Sequence, residues 1–284
     1  MGDQYKMNVD GLSVKIVSDG SYLVDGGSLF GQVPKTIWEQ HVKSDRKNRV
    51  RLGLNTLLIQ TPDKNILVDT GIGSKQTENL KEEYGLKCNK LLTNLKANGL
   101  TARQIDIVIL THLHFDHAGG STKIDRTGRA TPTFPRATYI VQKACWEEAT
   151  NPTERVKHFF NPDDFIPLQE KGQLSLIDGN CEIVPNVNLK VMNGHSKGDQ
   201  LVLINCGGER IAYGSHLIPT IHHVPLQYIP AFDLSPEDSM DEKKTFLDTA
   251  QRQGWLIIFG HGMDQRAGYI ENLNGRTKLR LVDF

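Results

Sequence analysis

IDIVILTHLHFDHAGG, residues 105–120, is the stretch that sets both the fold and the chemistry of this chain. It opens with a largely apolar run, and such a run between a turn and a glycine pair is typical of a buried strand. Three histidines and one aspartate then fall within six residues, at positions 112, 114, 116 and 117. Because neutral imidazole and carboxylate are ligands of Zn, Fe and Mn, the stretch predicts a metal site at a strand end.

The spacing within this motif indicates how the ligands would be shared. In an extended segment His112 and His114 point to the same side, because side chains alternate with a period of two. Asp116 and His117 are adjacent, so they share a second metal only if the chain turns, which the glycines at 119 and 120 permit. The alternative is a polar loop with chance histidines. We favour the metal site because chance seldom packs four ligands so closely after a hydrophobic strand.

The composition bounds the class of protein. The 284 residues are 38% hydrophobic and 23% charged, which is typical of a globular protein with a sizeable core. The 33 basic and 33 acidic residues balance, so no overall field would attract nucleic acid or an anionic membrane. The four cysteines form no CxxC pair, and neither a secretory leader nor a membrane-spanning stretch is visible. We expect a cytoplasmic protein without nucleic-acid or membrane partners.

Other patterns predict individual elements. Residues 12–19 alternate in polarity and predict a strand that ends in an Asp-Gly turn at 19–20. The glycine-rich residues 25–31 and the polar residues 121–135 read as loops. Ser235 followed by proline and two acids predicts the start of a helix that Gly254 ends.

The segment THLHFDHAGG, with its HxHxDH core, resembles the metal-binding motif of the metallo-β-lactamase superfamily. The wider sequence is similar to the N-acyl-homoserine lactonase and methyl-parathion-hydrolase-like branch, in residues 25–38, 52–73, 193–199, 215–230 and 259–262. The resemblance implies an α/β fold, the four-layer αβ/βα sandwich with mixed sheets, as one domain over residues 1–284. It also makes residues 30–38 a candidate dimer arm, so a homodimer is possible.

The same resemblance implies two divalent metal ions per chain and their ligands. The side chains expected at the first ion are His112, His114 and His195. Those expected at the second ion are Asp116, His117 and His261. Zn is the first choice, and Fe, Mn or Co also suits nitrogen and oxygen ligands without thiolate.

Around the metals, the resemblance implies further roles. Asp69, in a DTG segment, would orient a ligating imidazole, the alternative being a turn-capping aspartate. Phe30, His223 and Leu226 are expected to line the substrate pocket, although residues 25–31 could equally form a plain connecting loop. The balanced charge and apolar loop residues suggest a neutral, partly hydrophobic small molecule.

His216 is the departure from the family pattern. The family normally carries at this position an aspartate whose two carboxylate oxygens bridge both metals, and one imidazole nitrogen cannot do so. We infer that His216 binds one metal only, the second, and that water or hydroxide alone bridges the pair. Weaker metal binding, a single occupied site, or a catalytically impaired protein are the alternatives.

The function implied by the resemblance is that of a metal-dependent hydrolase. A metal-bound hydroxide would attack a lactone or ester, with N-acyl-homoserine lactones as candidate substrates, and Asp116 would pass the proton to the leaving alkoxide. The alternatives are phosphotriester hydrolysis of the methyl-parathion-hydrolase kind and a non-catalytic metal-binding protein.

Overall fold

The fold is seen in a computed structural model that describes residues 7–9, 11–75, 78–273 and 276–284. The strands, in chain order, are β1 (Met7–Val9), β2 (Leu12–Asp25), β3 (Arg49–Gln60), β4 (Asn65–Val68), β5 (Ile107–Ile109), β6 (Thr122–Ile124), β7 (Ala130–Pro132), β8 (Thr138–Gln142), β9 (Leu174–Ile177), β10 (Cys181–Val184), β11 (Val187–Met192), β12 (Asp199–Cys206), β13 (Glu209–Tyr213), β14 (Trp255–Ile258), β15 (Ala267–Leu273) and β16 (Arg276–Val282). The helices are α1 (Gly26–Phe30), α2 (Lys35–Trp38), α3 (Glu78–Tyr84), α4 (Leu91–Ala97), α5 (Phe115–Ala118), α6 (Lys143–Thr150), α7 (Ile166–Glu170) and α8 (Pro236–Gln253).

The described chain divides into two compact units, each discontinuous in sequence. Unit 1 comprises residues 23–53 and 180–284, and unit 2 comprises residues 7–22 and 54–179. The prediction of one domain over residues 1–284 stays a prediction. No helix within the described ranges is long and apolar enough to cross a bilayer.

Unit 2 is built on a seven-stranded sheet with the order β1-β2-β3-β4-β5-β8-β9. The pairs from β4 to β9 are parallel, and the hairpin β3–β4 is antiparallel. The short strands β4 and β5 are almost wholly apolar, as expected of parallel strands that are covered on both faces. Apolar side chains of α4 and α6 join those of the sheet in one buried cluster, which includes Leu95 and Cys145.

Unit 1 is built on a second seven-stranded sheet with the order β10-β11-β12-β13-β14-β15-β16. Its pairs are antiparallel except β13–β14, which is parallel. Helix α8 covers this sheet and buries Phe246 and Ala250 in the apolar cluster of the unit. It begins directly after Ser235 and ends at Gly254, whose φ is 66°, as the sequence predicts. Both sheets mix strand directions and carry helices, so the predicted α/β class with mixed sheets is confirmed.

The expected turn at Asp19-Gly20 is wrong, because β2 continues through both residues to Asp25. Gly20 has a φ of 132°, and an added Cβ would lie 1.9 Å from the carbonyl oxygen of Lys87. The backbone N–H of Ser21 donates to that oxygen at 2.9 Å. The glycine therefore serves a close approach of two backbones and not a change of direction.

Two segments expected to be loops contain regular structure. Residues 26–30 form α1, and the carboxylate of Asp25 caps it by accepting from the backbone N–H of Ser28 at 2.8 Å. Within residues 121–135, β6 and β7 pair as an antiparallel hairpin. In α1 the cap and the burial of Leu29 and Phe30 outweigh the low helix propensity of two glycines.

Candidate metal centre

The ends of two parallel strands bring together the polar side chains of unit 2. Asp69 directly follows β4, and His112 lies three residues after the end of β5, so both lie at the same edge of the sheet. The carboxylate of Asp69 accepts from the Nδ1 of His117 at 2.7 Å and from the backbone N–H of Thr111 at 2.8 Å. A carboxylate only accepts, so Nδ1 of His117 carries the proton and Nε2 carries the lone pair that a metal requires.

The hydroxyl of Thr111 extends this network to His112. It lies 3.0 Å from each carboxylate oxygen of Asp69 and 3.1 Å from the Nδ1 of His112. The hydroxyl has one hydrogen, which it donates to the carboxylate of Asp69. The Nδ1 of His112 must therefore donate in its contact with the hydroxyl oxygen of Thr111. The Nε2 of His112 is then the lone-pair nitrogen.

The turn expected after the HxHxD segment is helical. Helix α5 begins after His114, whose extended backbone has a φ of −65° and a ψ of 151°. The imidazole centroid of His112 lies 4.5 Å from that of His114 and 4.2 Å from that of His117. The Oδ2 of Asp116, which accepts from the hydroxyl of Tyr22 at 2.6 Å, lies 3.7 Å from the Nε2 of His117. Unit 2 thus gathers four buried side chains that the sequence assigned to metals.

Two backbone segments beside α5 pack without any side chain between them. A Cβ on Gly73 would lie 2.7 Å from the Cα of Gly120, and a Cβ on Gly120 would lie 2.2 Å from the carbonyl oxygen of Thr70. The N–H of Gly120 donates to the carbonyl of Gly71 at 3.0 Å, and the N–H of Thr70 donates to the carbonyl of His117 at 2.8 Å. Glycine is required here because the segment that carries Asp69 touches the one that carries the ligands.

In unit 1, three strand ends supply the remaining histidines. Strands β11, β13 and β14 run in the same direction, so their carboxyl ends share one edge of the sheet. His195, His216 and His261 each follow one of these ends. The rings of His195 and His216 stack with centroids 4.0 Å apart at an interplanar angle of 9°, and the Nε2 atoms of His216 and His261 are 3.1 Å apart.

Oxygen acceptors orient two of these three imidazoles. The Nδ1 of His195 lies 2.8 Å from the Oδ1 of Asp233, and the Nδ1 of His261 lies 2.9 Å from the carbonyl oxygen of Gly53. Asp233 is itself held, because its Oδ2 accepts from the hydroxyl of Ser239 at 2.7 Å. The acceptors place the proton of each imidazole on Nδ1 and the lone pair on Nε2.

These donor atoms fit a divalent ion. Two imidazole nitrogens on one tetrahedral zinc, each at roughly 2.0–2.1 Å, are about 3.3 Å apart. The separation of 3.1 Å between the Nε2 atoms of His216 and His261 is close to that value. The donors are nitrogen and carboxylate oxygen without thiolate, which suits Zn, Fe, Mn or Co.

Unit 1 also contains a cavity of about 380 Å³. Its lining comprises Leu29, Phe30, His41, Val42, Lys43, Val50, Arg51, Leu52, Thr220, Ile221, His222, His261, Gly262, Met263, Asp264 and Gln265. Phe30, one of the expected pocket residues, lies in this wall. His41 and His222, to which sequence reasoning gave no such role, lie there as well.

His223 and Leu226, the other expected pocket residues, lie outside this lining. His223 is completely buried and stacks on Phe30, with ring centroids 5.1 Å apart. Burial lowers its pKa to about 3, so the ring is neutral and can donate from Nε2 to the carbonyl of Leu29 at 3.0 Å and accept at Nδ1 from Thr220 at 2.8 Å. His223 therefore supports the cavity wall from behind, and Leu226 packs against the apolar cluster of unit 1.

A buried lysine fixes the segment that carries these two residues. The Nζ of Lys243 donates to the carbonyls of His223, Pro225 and Tyr228 at 3.0, 3.1 and 2.9 Å. Burial lowers the pKa of Lys243 to about 7. The ammonium has three N–H donors, so this arrangement matches its hydrogen-bonding capacity.

Sequence reasoning missed three residues that contact the candidate ligands: Tyr22, Thr111 and Asp233. Thr111 could have been found, since it is adjacent to His112. Tyr22 and Asp233 gave no local signal, because 94 residues separate Tyr22 from Asp116 and 38 separate Asp233 from His195.

Known proteins resemble this chain in family and in fold. The family model of the metallo-β-lactamase superfamily matches residues 50–261. An N-acyl homoserine lactonase from Bacillus cereus is 26% identical over 232 residues, which cover 78% of this chain and 86% of the relative. A probable metal-dependent hydrolase from Staphylococcus aureus has a TM-score of 0.88 and 28% identity, covering 98% of this chain and 99% of its own. AidC, a dizinc quorum-quenching lactonase, has a TM-score of 0.81 with 99% and 97% covered, and its 21% identity shows the fold alone.

Proposed function

Because this chain belongs to the metallo-β-lactamase superfamily, as its HxHxDH motif predicts, we propose that it is a metal-dependent hydrolase that opens lactones and cleaves related esters. N-acyl-homoserine lactones are the first substrates to consider, because curated relatives that match most of this chain are N-acyl homoserine lactonases. The proposal covers a small neutral molecule with an apolar part.

The observation that carries the proposal is the hydrogen-bond pattern shared by three of the proposed ligands. His117, His195 and His261 each direct Nδ1 at an oxygen acceptor, at 2.7, 2.8 and 2.9 Å. Each of these contacts puts the N–H of the neutral ring on Nδ1 and the lone pair on Nε2, which is the nitrogen left to bind a cation. Acceptors behind ligating imidazoles raise the basicity of the nitrogen that faces the metal.

The family resemblance assigns six of these side chains to two divalent ions, Zn foremost, and His216 is our own addition to the second. We propose that the first ion is bound by His112, His114 and His195. We propose that the second ion is bound by Asp116, His117, His216 and His261. The place of His216 beside His261 supports the last part, because their Nε2 atoms are 3.1 Å apart.

The residues of the chain divide the work as follows. Bound divalent ions would lower the pKa of a coordinated water and polarise the carbonyl oxygen of the substrate. The carboxylate of Asp116 would take up the proton that this water releases and deliver it to the leaving alkoxide. The hydroxyl of Tyr22 holds that carboxylate in place through the hydrogen bond of 2.6 Å. Phe159 and Phe160, whose ring centroids lie 4.8 and 4.9 Å from that of His114, keep bulk water from this imidazole.

The test is a substrate panel with purified, metal-loaded protein. Homoserine lactones with acyl chains of increasing length, simple aryl esters and paraoxon-like phosphotriesters are assayed before chelation, after chelation and after Zn is restored. We expect lactone opening that chelation abolishes and Zn restores. Elemental analysis of the same samples gives the number of ions per chain.

Two results would change the proposal. Cleavage of phosphotriesters without opening of any lactone would assign the chain to phosphotriester hydrolysis. Full metal loading without turnover of any of the three substrate classes would indicate a metal-binding protein that is not a hydrolase of these bonds.

A further inference from the structure

A buried ion pair in unit 2 lies outside the candidate ligand set. The Nζ of Lys75 lies 3.1 Å from the Oδ1 of Asp164, and the two side chains are 5% and 3% exposed. Such a pair gives little net stability, because the lost hydration of both charges offsets their attraction, yet it is costly to break. Its main effect is therefore on the relative positions of the segments that carry it.

Lys75 joins the two backbone segments that pack beside helix α5. Its Nζ donates to the carbonyl oxygens of Gly119 and Thr122, at 2.8 Å in the second case. Together with Asp164, these acceptors match the three N–H donors of an ammonium group. Lys75 lies six residues after Asp69, and Gly119 directly follows α5. The ammonium therefore fastens the segment of Asp69 to the turn after the candidate ligands.

Asp164 lies in a segment that packs on the imidazole of His114. This cover segment comprises residues 157–165. The ring centroids of Phe159 and Phe160 lie 4.8 and 4.9 Å from that of His114. His114 itself is only 3% exposed. The ion pair therefore connects the cover of this imidazole to the backbone around α5.

The carboxyl group of Asp164 is charged at neutral pH. Burial raises its pKa to about 6, while the ammonium of Lys75 and the side chain of Asn161 keep the pKa from rising further. Asp163 is the other charged group beside it, and its negative charge acts in the same direction as burial. At pH 7 roughly nine in ten of these carboxyl groups are ionised, so the contact with Lys75 is an ion pair.

We propose that Lys75 and Asp164 are positioning residues that hold the cover segment against His114 and so restrict the access of water and chelators to an ion bound there. The pair acts through Phe159 and Phe160, because neither of its charged groups is a candidate ligand. This role rests on the proposed metal centre but not on the hydrolysis of any substrate. Hydrogen exchange and metal release therefore test it apart from turnover.

The first experiment measures backbone hydrogen exchange in the metal-loaded protein by mass spectrometry. D164N keeps the size of the side chain but leaves the ammonium of Lys75 without its opposite charge. Exchange in residues 157–165 should become about tenfold faster, because local opening then costs less free energy. The effect is limited, since the hydroxyl of Thr122 still donates to the carbonyl of Asp163 at 2.5 Å.

Two comparisons separate loosening of the cover segment from a general loss of stability. D163N makes the same chemical change at the neighbouring exposed residue and should leave exchange as it is. Helix α4, also in unit 2, should exchange at the same rate in D164N as in the unaltered protein. An equal increase in α4 and in the cover segment would overturn the proposal, because the pair would then serve only the stability of unit 2.

The second experiment follows the release of Co²⁺ from the loaded protein to an excess of chelator. D164N should speed this release, and so should F159A, which removes one ring of the cover. Because both changes act on the same cover, the effect of D164N/F159A should be smaller than the product of the two single effects. Effects that multiply, or an unchanged release rate in D164N, would overturn the proposal.

A further variant keeps the test decisive if D164N does not fold. K75Q/D164N removes both charges, and a buried neutral pair is tolerated better than one unpaired charge. Its exchange and release should still be faster than in the unaltered protein, because the new amide at position 75 has two hydrogens for three acceptors. Unchanged exchange and release would overturn the proposal.

Failure of the proposed function gives a different result. Unaltered protein that binds no metal would refute the metal centre and this role with it. Bound metal without turnover of any substrate would refute only the hydrolysis, and the exchange and release rates would still decide whether Lys75 and Asp164 hold the cover segment.

Discussion

The two groups of histidines are alike in position but differ in how the chain supplies them. In unit 2 the candidate imidazole ligands come from one short segment, residues 112–117, and two carboxylates accompany them, Asp69 and Asp116. In unit 1 three histidines come from the ends of three strands, and the carboxylate of Asp233 contacts one of them, His195. The backbone carbonyl of Gly53 accepts from the Nδ1 of His261, just as the carboxylate of Asp69 accepts from the Nδ1 of His117.

The difference shows what a local motif and a tertiary constellation each require. The group of unit 2 needs one strand end, one helical turn and the contact with the DTG segment. The group of unit 1 needs the register of β11, β13 and β14 to be correct before any two imidazoles meet. The group of unit 1 also brings less negative charge to a cation, because this chain has His216 at the position where the family resemblance implies an aspartate.

The largest effect should come from removing one imidazole in either group. H112A in unit 2 and H261A in unit 1 should each lower lactone or ester hydrolysis by more than about a hundredfold, the upper end for residues that only orient a ligand. Metal content by elemental analysis should fall in both. H158A, which removes an exposed histidine of unit 2, should change neither quantity. Loss in one variant alone would mean that only one group binds metal.

The second largest effect should come from Asp69 and Asp233, whose carboxylates accept hydrogen bonds from His117 and His195. D69N and D233N keep the size of each side chain but remove its charge, and each should weaken metal affinity or activity by about 10- to 100-fold. D106N is the matched control, because Asp106 caps the far end of β5 by accepting from the backbone of Asn65 at 2.8 Å. Competition with a chelator of known affinity measures the change. Metal affinity that stays unaltered in D69N would show that the contact with His117 is only structural.

His216 offers the sharpest test of the charge difference between the groups. H216D introduces the carboxylate that the family resemblance implies at this position, and it should raise the affinity for the more weakly held ion by about tenfold, the lower end of effects at such sites. H216A should lower it, since the partner of His261 is lost. Retained metal per chain after graded dialysis distinguishes the two. Equal retention in the unaltered protein, H216D and H216A would remove His216 from the ligands.

The smallest effect should come from Tyr22. Y22F removes the hydroxyl that donates to Asp116 and should lower kcat by about fivefold with KM unchanged, the size of one hydrogen bond of about 1 kcal/mol. Y84F makes the same chemical change in the same aromatic cluster, where the ring of Tyr84 lies 6.5 Å from that of Tyr22. It should leave kcat as it is. An equal decrease in both variants would point to packing of the rings.

The sequence could predict the features that depend on residues close together in the chain. The strand before the HxHxDH segment and the start and end of α8 depend on residues a few positions apart, and the structure has both. What it could not predict depends on distant partners. Gly20 follows an aspartate as in a tight turn, yet the approach of Lys87 keeps the chain extended there. The sequence around Asp233 does not indicate its contact with His195, because the two residues meet only when α8 and the loop before it are folded.

The backbone contact between Gly73 and Gly120 has a consequence for how this scaffold can diversify. No larger residue can enter at either position without pushing the ligand segment away from the segment of Asp69, so these positions are closed to natural or laboratory variation. The rim of the 380 Å³ cavity, by contrast, is made of exposed side chains on surface segments. New substrate preferences should therefore arise by exchange around residues 41–43 and 263–265, while the glycine contact keeps the reacting centre constant.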